Sequence, residues 1–394
     1  MPLFRRLGPN LCARSGLLEF SFHSEAALME EAERMDRKGF TGIEIGRFLC
    51  AFAVILWHYQ QFFQLGLEGG GSDAPSDVTK YPFYSALSFF YLNGHHAVVI
   101  FWMISGFIFF WKYGESVHAR KTSVYRFVAL RFSRLYPLHL VTLIIVAILQ
   151  VFYLSSHRSY FIYNHNDTAN FLLQLAFASN WSGSMPFTFN GSIWSVSVEV
   201  LAYAFFFLVV RFFRPGLILC LVVAVIFKTL DHFQPQNLFV CIEYFFVGGA
   251  VVRLIERLNR TQNKIAFWLC AAGIVAIGAT RLGSGTVIVF AFCCLTAFAL
   301  LNQALGARLE RVSKLGDLTY ASYLIHFPIQ LALVLVLDRL GVSRGVFFSP
   351  FALIGFMLIT FGLSWVVFHG FEMPAQNRIR ALVLPRATVA ALRS

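Results

Sequence analysis

Long apolar stretches dominate this chain and leave little room for a water-soluble fold. About ten of them follow one another from Ile43 onward, and most are near the ~20 residues that a helix needs to cross a bilayer. The pattern predicts an all-α, polytopic integral membrane protein of about ten transmembrane helices. The predicted spans are residues 43–65, 85–111, 136–155, 196–213, 217–230, 238–254, 265–281, 286–304, 318–337 and 349–369.

The composition agrees with a membrane location. Hydrophobic residues make up 58% of the chain and charged residues 13%, whereas a soluble domain has about 25% charged residues. The formal net charge of +12 would suit a nucleic-acid partner, but the cations stand between apolar spans rather than on one soluble face. The seven cysteines lie mostly inside apolar spans without metal-ligand spacing. We therefore expect no nucleic-acid partner, no metal and no bound cofactor.

The basic residues also predict the orientation. Of the 32 lysines and arginines, 25 fall in segments on one side of the predicted spans and 6 on the other. Positive charge accumulates on the cytoplasmic side of membrane proteins. Both termini are then cytoplasmic, which requires an even number of spans.

The apolar pattern also predicts three parts of the chain. Residues 1–41 read as a cytoplasmic extension, partly disordered, with Met35 as an alternative start to Met1. Residues 42–376 form the transmembrane domain, and residues 377–394 form a basic cytoplasmic tail.

The first span carries charge where lipid disfavours it. Arg47 and His58 are eleven residues apart, so on a helix they share one face and are separated by roughly 16 Å along the axis. Ionisable groups at such depth normally face a protein interior or a wet cavity. His58 is the leading candidate for a general base, since neutral imidazole accepts a proton from a hydroxyl. The alternative is structural: an ion pair of Arg47 with Glu44, and a hydrogen-bonded core histidine.

Three later spans contain further candidates with equally plain structural alternatives. Ser105, followed by Gly106, favours either close helix packing or a narrow passage for a ligand. Glu199 either orients His58 as a carboxylate–imidazole pair or forms an ion pair with an arginine. His326, just before Pro328, is a functional residue or a satisfied core histidine. Glu372 is expected to be solvated at the cytoplasmic surface.

Two connections are longer than simple joining needs. The cytoplasmic one, residues 112–135, brings Arg131 and Arg134 onto one face if it is helical, and Pro137 then suits the first turn of the next helix. These cations either bind an anion or only orient the chain. The external connection, residues 156–195, is rich in Asn, Ser and aromatic residues. It either covers a site that binds sugar hydroxyls and ring faces or is a surface loop.

Taken together and in order, several of these stretches resemble the acyltransferase 3 family of membrane-bound acyltransferases. Each motif is loose, but the ordered set is specific and covers residues 42–376. The matching stretches are Arg47 with His58, FWMISGF around Ser105, RFSRLYP with Arg131 and Arg134, SIWSVSVE with Trp194 and Glu199, TYASYLIHFP with His326, and FHGFEMP with Glu372.

The resemblance implies a ten-span helical enzyme of the bacterial inner membrane. It implies transfer of an acyl group, usually acetyl from acetyl-CoA, to a hydroxyl of a cell-surface polysaccharide, lipopolysaccharide or lipo-oligosaccharide. His58 would be the catalytic histidine with Arg47 as its signature partner and Glu199 in support. The expected donor-binding residues are Arg131, Arg134 and Ser105, and the expected acceptor-side residues are Trp194 and His326.

One rival function stays open at this point. Buried Arg, His and Glu residues also suit a proton-coupled transporter or flippase of glycans or small solutes. No inverted repeat or pair of broken helices is apparent in the sequence, which favours the enzyme. The identity of the acceptor, the acyl chain and the oligomeric state are not predicted.

Overall fold

The computed structural model describes residues 41–63, 78–279, 282–305 and 314–384, and all regular structure in these ranges is helical. The expectations for the cytoplasmic extension, including the start at Met35, and for the tail beyond residue 384 concern residues outside these ranges. The helices are α1 (Thr41–His58), α2 (Tyr84–Asn93), α3 (Ala97–His118), α4 (Val124–His157), α5 (Thr168–Leu175), α6 (Ile193–Phe212), α7 (Leu217–Phe233), α8 (Asn237–Ile255), α9 (Arg260–Gly278), α10 (Ser284–Leu305), α11 (Thr319–Arg339), α12 (Pro350–Val367) and α13 (Met373–Val383).

Eight helical segments in the described ranges are long and apolar enough to cross a membrane. They comprise α1, α2 with α3, α4, α6, α8, α10, α11, and α12 with α13. Within the described ranges each of the ten predicted spans overlaps one or two helices, but α7 has only 17 residues and α9 opens with charged residues. The fold is therefore an all-α polytopic membrane protein, and the count of ten and the side of the termini stay predictions.

Helix α4 differs most from its predicted span. It begins at Val124 rather than near residue 136, and the hydroxyl of Ser123 caps it by accepting a hydrogen bond from the backbone N–H of Arg126. Pro137 lies inside the helix, so its predicted place in the first turn is wrong. Membrane helices tolerate such prolines because neighbouring groups satisfy the freed carbonyl. The 34 residues rise about 51 Å, so α4 extends beyond a hydrocarbon core of about 30 Å.

Helices α3 and α8 approach each other on glycines. At Gly106 an added Cβ would meet the backbone carbonyl of Phe245, and at Gly248 it would meet that of Met103. Small residues let membrane helices pack backbone against backbone. The packing alternative for the Ser105–Gly106 step is thus correct for the glycine.

The external connection is built into the bundle rather than lying on it. Gln150 of α4 binds both backbone groups of Phe161, accepting from its N–H over 2.9 Å and donating to its carbonyl over 3.0 Å. Phe161 and Ile162 are fully buried, and Asn190 is 0% exposed. Ile162 has a φ of 64°, a conformation that costs a β-branched residue energy and persists only where its surroundings enforce it. The surface-loop alternative is therefore wrong for this part of the connection.

The apolar core has two halves that meet along α1 and α11. On α1, Val54 packs with the half around α3, α6 and α8, whereas Ile55 packs with the half around Tyr59 and α4. On α11, Leu324 belongs to the first half and Phe327 to the second. The boundary between the halves is where the polar side chains of α1 and α11 gather.

Candidate functional site

Two histidines from distant parts of the chain meet at this boundary. The Nδ1 atom of His58 lies 2.9 Å from the Nε2 atom of His326, and the two rings are nearly parallel at 16°. His326 is 0% exposed and His58 is 9% exposed. Among the described residues, the Nε2 atom of His58 has no hydrogen-bond partner. One nitrogen of this pair is therefore left for another molecule.

The backbone around His58 is fixed by a second contact from α11. Gln330 donates from its Nε2 to the carbonyl oxygen of His58 over 2.8 Å. This is the point at which α1 passes into the 3-10 turn Tyr59–Phe63, so the contact stabilises an irregular stretch of buried backbone. Because Gln330 and His326 are one helical turn apart, α11 positions both the ring and the carbonyl of His58.

The external connection and α11 itself supply further hydrogen-bond neighbours of His326. The Oγ atom of Ser192 lies 3.3 Å from its Nε2, and the backbone carbonyl of Ser322 lies 3.3 Å from its Nδ1. Asn190 donates to the backbone carbonyl of Leu324 over 3.0 Å and thereby ties the connection to α11. Both ring nitrogens of His326 are engaged by the protein.

Glu199 is placed differently from the sequence prediction. Its carboxylate accepts a hydrogen bond from the hydroxyl of Tyr203 over 2.6 Å and interacts with the side chain of Ser105. It makes no hydrogen bond to His58 among the described residues, and its long-range electrostatic partners are Arg47 and Arg134. The structure thus gives His58 an imidazole partner in place of the expected carboxylate. Ser105 interacts with the carboxylate of Glu199 rather than with the histidines.

Trp194 lies beside a second polar contact between α6 and α11. The hydroxyls of Ser195 and Tyr323 are 2.7 Å apart, and the indole N–H of Trp102 donates to the backbone carbonyl of Ser195 over 3.3 Å. Trp194 packs edge to face against Trp102 at 5.6 Å and against Phe187 at 5.7 Å. Its ring therefore joins the external connection to the helices that carry the polar residues.

Arginines collect at the other end of α1. Arg47 forms an ion pair with Glu44 at 2.8 Å, as the sequence suggested. Arg134 of α4 lies within electrostatic reach of Arg47 and Glu44 and also of Glu372. It makes no hydrogen bond or contact ion pair with any residue that the structure describes. We refer to Arg47, Arg131 and Arg134 as the arginine cluster.

The third arginine of the cluster is held by aromatic rings. The guanidinium carbon of Arg131 lies 4.9 Å from the ring centre of Phe109 and 5.1 Å from that of Tyr113. Its Nη2 also donates to the hydroxyl of Tyr113 over 2.6 Å. Cation–π contacts and a charge-assisted hydrogen bond together fix this side chain. Arg131 and Arg134 are one helical turn apart, but only the first is held in place by hydrogen-bond and cation–π contacts with described residues.

The position of Glu372 was not predicted from the sequence. It is 6% exposed, so the expected solvated position is wrong, and it interacts with Arg134 and Arg47 across the cluster. A single π-helical turn, Phe368–Glu372, joins α12 to α13 and turns this carboxylate inward. The sequence does not indicate this turn, because the apolar pattern ends with α12.

The pairing of the other site residues was not predicted, because the partners are remote in sequence. His326 and His58 are 268 positions apart, Ser192 and His326 are 134 apart, and Ser195 and Tyr323 are 128 apart. All the side chains involved lie within motifs that the sequence singled out, so the motifs marked the right helices without their pairing. Within the described ranges, no three His, Cys, Asp or Glu side chains are placed to hold a metal ion.

Comparison with known proteins identifies the family. Residues 40–369 match the family model of an acyltransferase domain, the domain of the acyltransferase 3 family. No curated protein and no solved structure matches the chain. Because the match covers most of the 394 residues, the chain belongs to the acyltransferase 3 family, and its chemistry is acyl transfer.

Proposed function

We propose that this member of the acyltransferase 3 family transfers acetyl from acetyl-CoA to a hydroxyl of a cell-surface polysaccharide, lipopolysaccharide or lipo-oligosaccharide. The observation that carries the proposal is one helix face of α1. It presents a cation of the arginine cluster near one end and, at His58 near the other, a ring nitrogen that is not hydrogen-bonded to any described residue. A polyanionic donor with a distant reactive end fits that arrangement.

The length of the donor matches this face. Arg47 and His58 are separated by roughly 16 Å along α1. The pantetheine arm of acetyl-CoA has about 14 bonds from its phosphate to the thioester carbonyl and spans roughly 16 Å, since three backbone bonds advance a chain by about 3.5 Å. A diphosphate at the arginine cluster therefore puts the thioester beside His58. Arg134 is the best phosphate ligand, because no described residue occupies its guanidinium.

The reaction follows from the free nitrogen of His58. Nε2 takes the proton of the acceptor hydroxyl as the oxygen forms a bond to the thioester carbonyl carbon. The tetrahedral intermediate then breaks its carbon–sulfur bond, and the sulfur leaves with the proton that His58 had taken. The products are the acetyl ester and CoA with a free thiol, and His58 returns to its starting state.

The acceptor is expected to approach along the external connection. Trp194 and Phe187 offer ring faces there, and such faces stack on sugar rings. Tyr163 is fixed in the same region by Gln61, which donates to its hydroxyl over 3.2 Å. Burial raises the pKa of Tyr163 to about 12, so its hydroxyl keeps a proton to donate to a sugar oxygen.

Labelled acetyl-CoA tests the proposal in isolated membranes. Wild-type membranes should place label in surface glycan, and His58→Ala should reduce the rate by about 10²-fold or more, the contribution of a general base. His139→Ala is the matched control, because it removes a buried histidine whose Nε2 is bonded to the backbone carbonyl of Gln174. Wild-type activity in His58→Ala, with the protein folded, would disprove the role of His58. Movement of solute without consumption of the thioester would favour a carrier instead.

A further inference from the structure

The hydrogen bonds around His326 form a chain with one direction. At one end is the backbone carbonyl of Ser322, which can only accept. At the other end is the Nε2 atom of His58, which forms no hydrogen bond with a described residue. Between them lie the two imidazole rings, each of which has one donor and one acceptor nitrogen when neutral.

The carbonyl determines every proton position along this chain. Nδ1 of His326 must carry a proton to bond to Ser322, so its Nε2 is an acceptor when the ring is neutral. Nδ1 of His58 must then carry the proton that lies between the two rings. The remaining nitrogen of His58, Nε2, is left with a lone pair. The Ser192 hydroxyl lies 3.3 Å from Nε2 of His326, whose single lone pair already accepts the Nδ1–H of His58, so Ser192 does not alter this order.

We infer that His326 is a positioning residue that holds His58 in the tautomer whose Nε2 accepts a proton. The inference rests on the proposed function for its catalytic meaning, but the pairing itself does not. In the serine protease triad a carboxylate holds the catalytic imidazole in this way. Here a neutral imidazole does so, and it also accepts the Nδ1–H bond when His58 becomes an imidazolium during transfer.

Two substitutions of His326 separate this role from simple packing. His326→Leu removes the acceptor, so a proton on Nδ1 of His58 would be buried without a partner and moves to Nε2. We expect kcat to fall about 100-fold, as for loss of a residue that orients a ligating histidine, while both KM values change less than about threefold. His326→Gln places a carbonyl oxygen near the position of the lost Nε2 and should restore much of kcat.

His139→Leu is the matched control, because it removes a histidine that is equally buried and bonded to a carbonyl. It should lower the yield of folded protein without changing kcat per folded molecule. Equal kcat in wild type and His326→Leu, or equally low kcat in His326→Leu and His326→Gln with all proteins folded, would overturn the inference.

A second measurement does not need acyl transfer. Diethyl pyrocarbonate attacks an accessible imidazole nitrogen that carries a lone pair, and peptide mass spectrometry of the purified full-length protein reports the rate at His58. The rate should fall about tenfold in His326→Leu, since the proton now occupies Nε2, and recover in His326→Gln. An unchanged rate would refute the tautomer assignment. If these rates behave as expected but wild-type membranes transfer no acetyl group, the pairing stands and the proposed function fails.

Discussion

Arg131 and Arg134 make a sharp test, because they look equivalent in sequence and are not equivalent in the structure. Arg131 is enclosed by two aromatic rings and bonded to Tyr113 at 2.6 Å. Arg134 has electrostatic neighbours but no hydrogen bond to a described residue. Of these two arginines, Arg134 is the one whose guanidinium is not hydrogen-bonded by a described residue, and we propose it as the phosphate ligand. We predict that Arg134→Gln weakens donor binding and that Arg131→Gln weakens the fold.

The expected sizes follow from the contacts. A hydrogen bond to a charged group contributes about 1.5–3 kcal/mol, and each 1.4 kcal/mol is a factor of ten, so Arg134→Gln should raise the KM for acetyl-CoA about 10–100-fold. For Arg131→Gln, loss of the bond to Tyr113 and of two ring contacts should cost about 2–3 kcal/mol of stability. Its KM for acetyl-CoA should change less than about threefold.

The assay is transfer from labelled acetyl-CoA at varied donor and acceptor concentrations, combined with thermal unfolding of the purified protein. Arg260→Gln is the control, because it removes an exposed arginine at the start of α9, outside the arginine cluster. An equal rise in the KM of donor and acceptor for Arg134→Gln would refute the phosphate assignment. So would a rise in Arg131→Gln as large as that in Arg134→Gln.

Two further predictions concern the framework. Gly106→Val should force α3 away from the backbone of Phe245 and lower stability by about 1–3 kcal/mol, whereas Gly362→Val, with nothing within 4 Å of an added Cβ, should not; thermal unfolding in detergent distinguishes them. Gln150→Leu should leave the N–H and carbonyl of Phe161 buried without partners and cost about 2–4 kcal/mol, and greater cleavage of the external connection by protease would report the loss. Unchanged protease resistance would show that other contacts hold the connection.

The sequence predicted individual helices better than it predicted which helices contact each other. The arrangement of Arg47 and His58 on one face depends only on helical geometry, and α1 is continuous between them. The partner of His58 depends on which helices are in contact and at what depth. Hydrophobic periodicity gives no information on either. Glu199 was therefore matched to His58 on charge alone, although it lies with Tyr203 and Ser105.

The misplaced start of α4 has a different cause. Apolar runs mark the part of a helix that contacts lipid, whereas the helix itself continues for as long as its caps and propensities allow. The cap at Ser123 was readable in the sequence, but the apolar run that defined the predicted span begins only near residue 136. Pro137 reinforced that error, because a proline at the first turn is common in soluble helices.

Charge is distributed along the bundle in the same way as along the proposed donor. The ionic residues Arg47, Arg134 and Glu372 interact with one another at one end. His58 is held instead by the imidazole of His326 and the amide of Gln330, and the described residues place no carboxylate in hydrogen-bond contact with it. A carboxylate partner there would add a buried charge, which is costly without compensation. Acetyl-CoA likewise has its charges at the phosphates and a neutral thioester at the far end. A neutral imidazole at His326 thus orients His58 without adding a buried charge. Such a charge would have no partner on the donor, whose thioester is neutral.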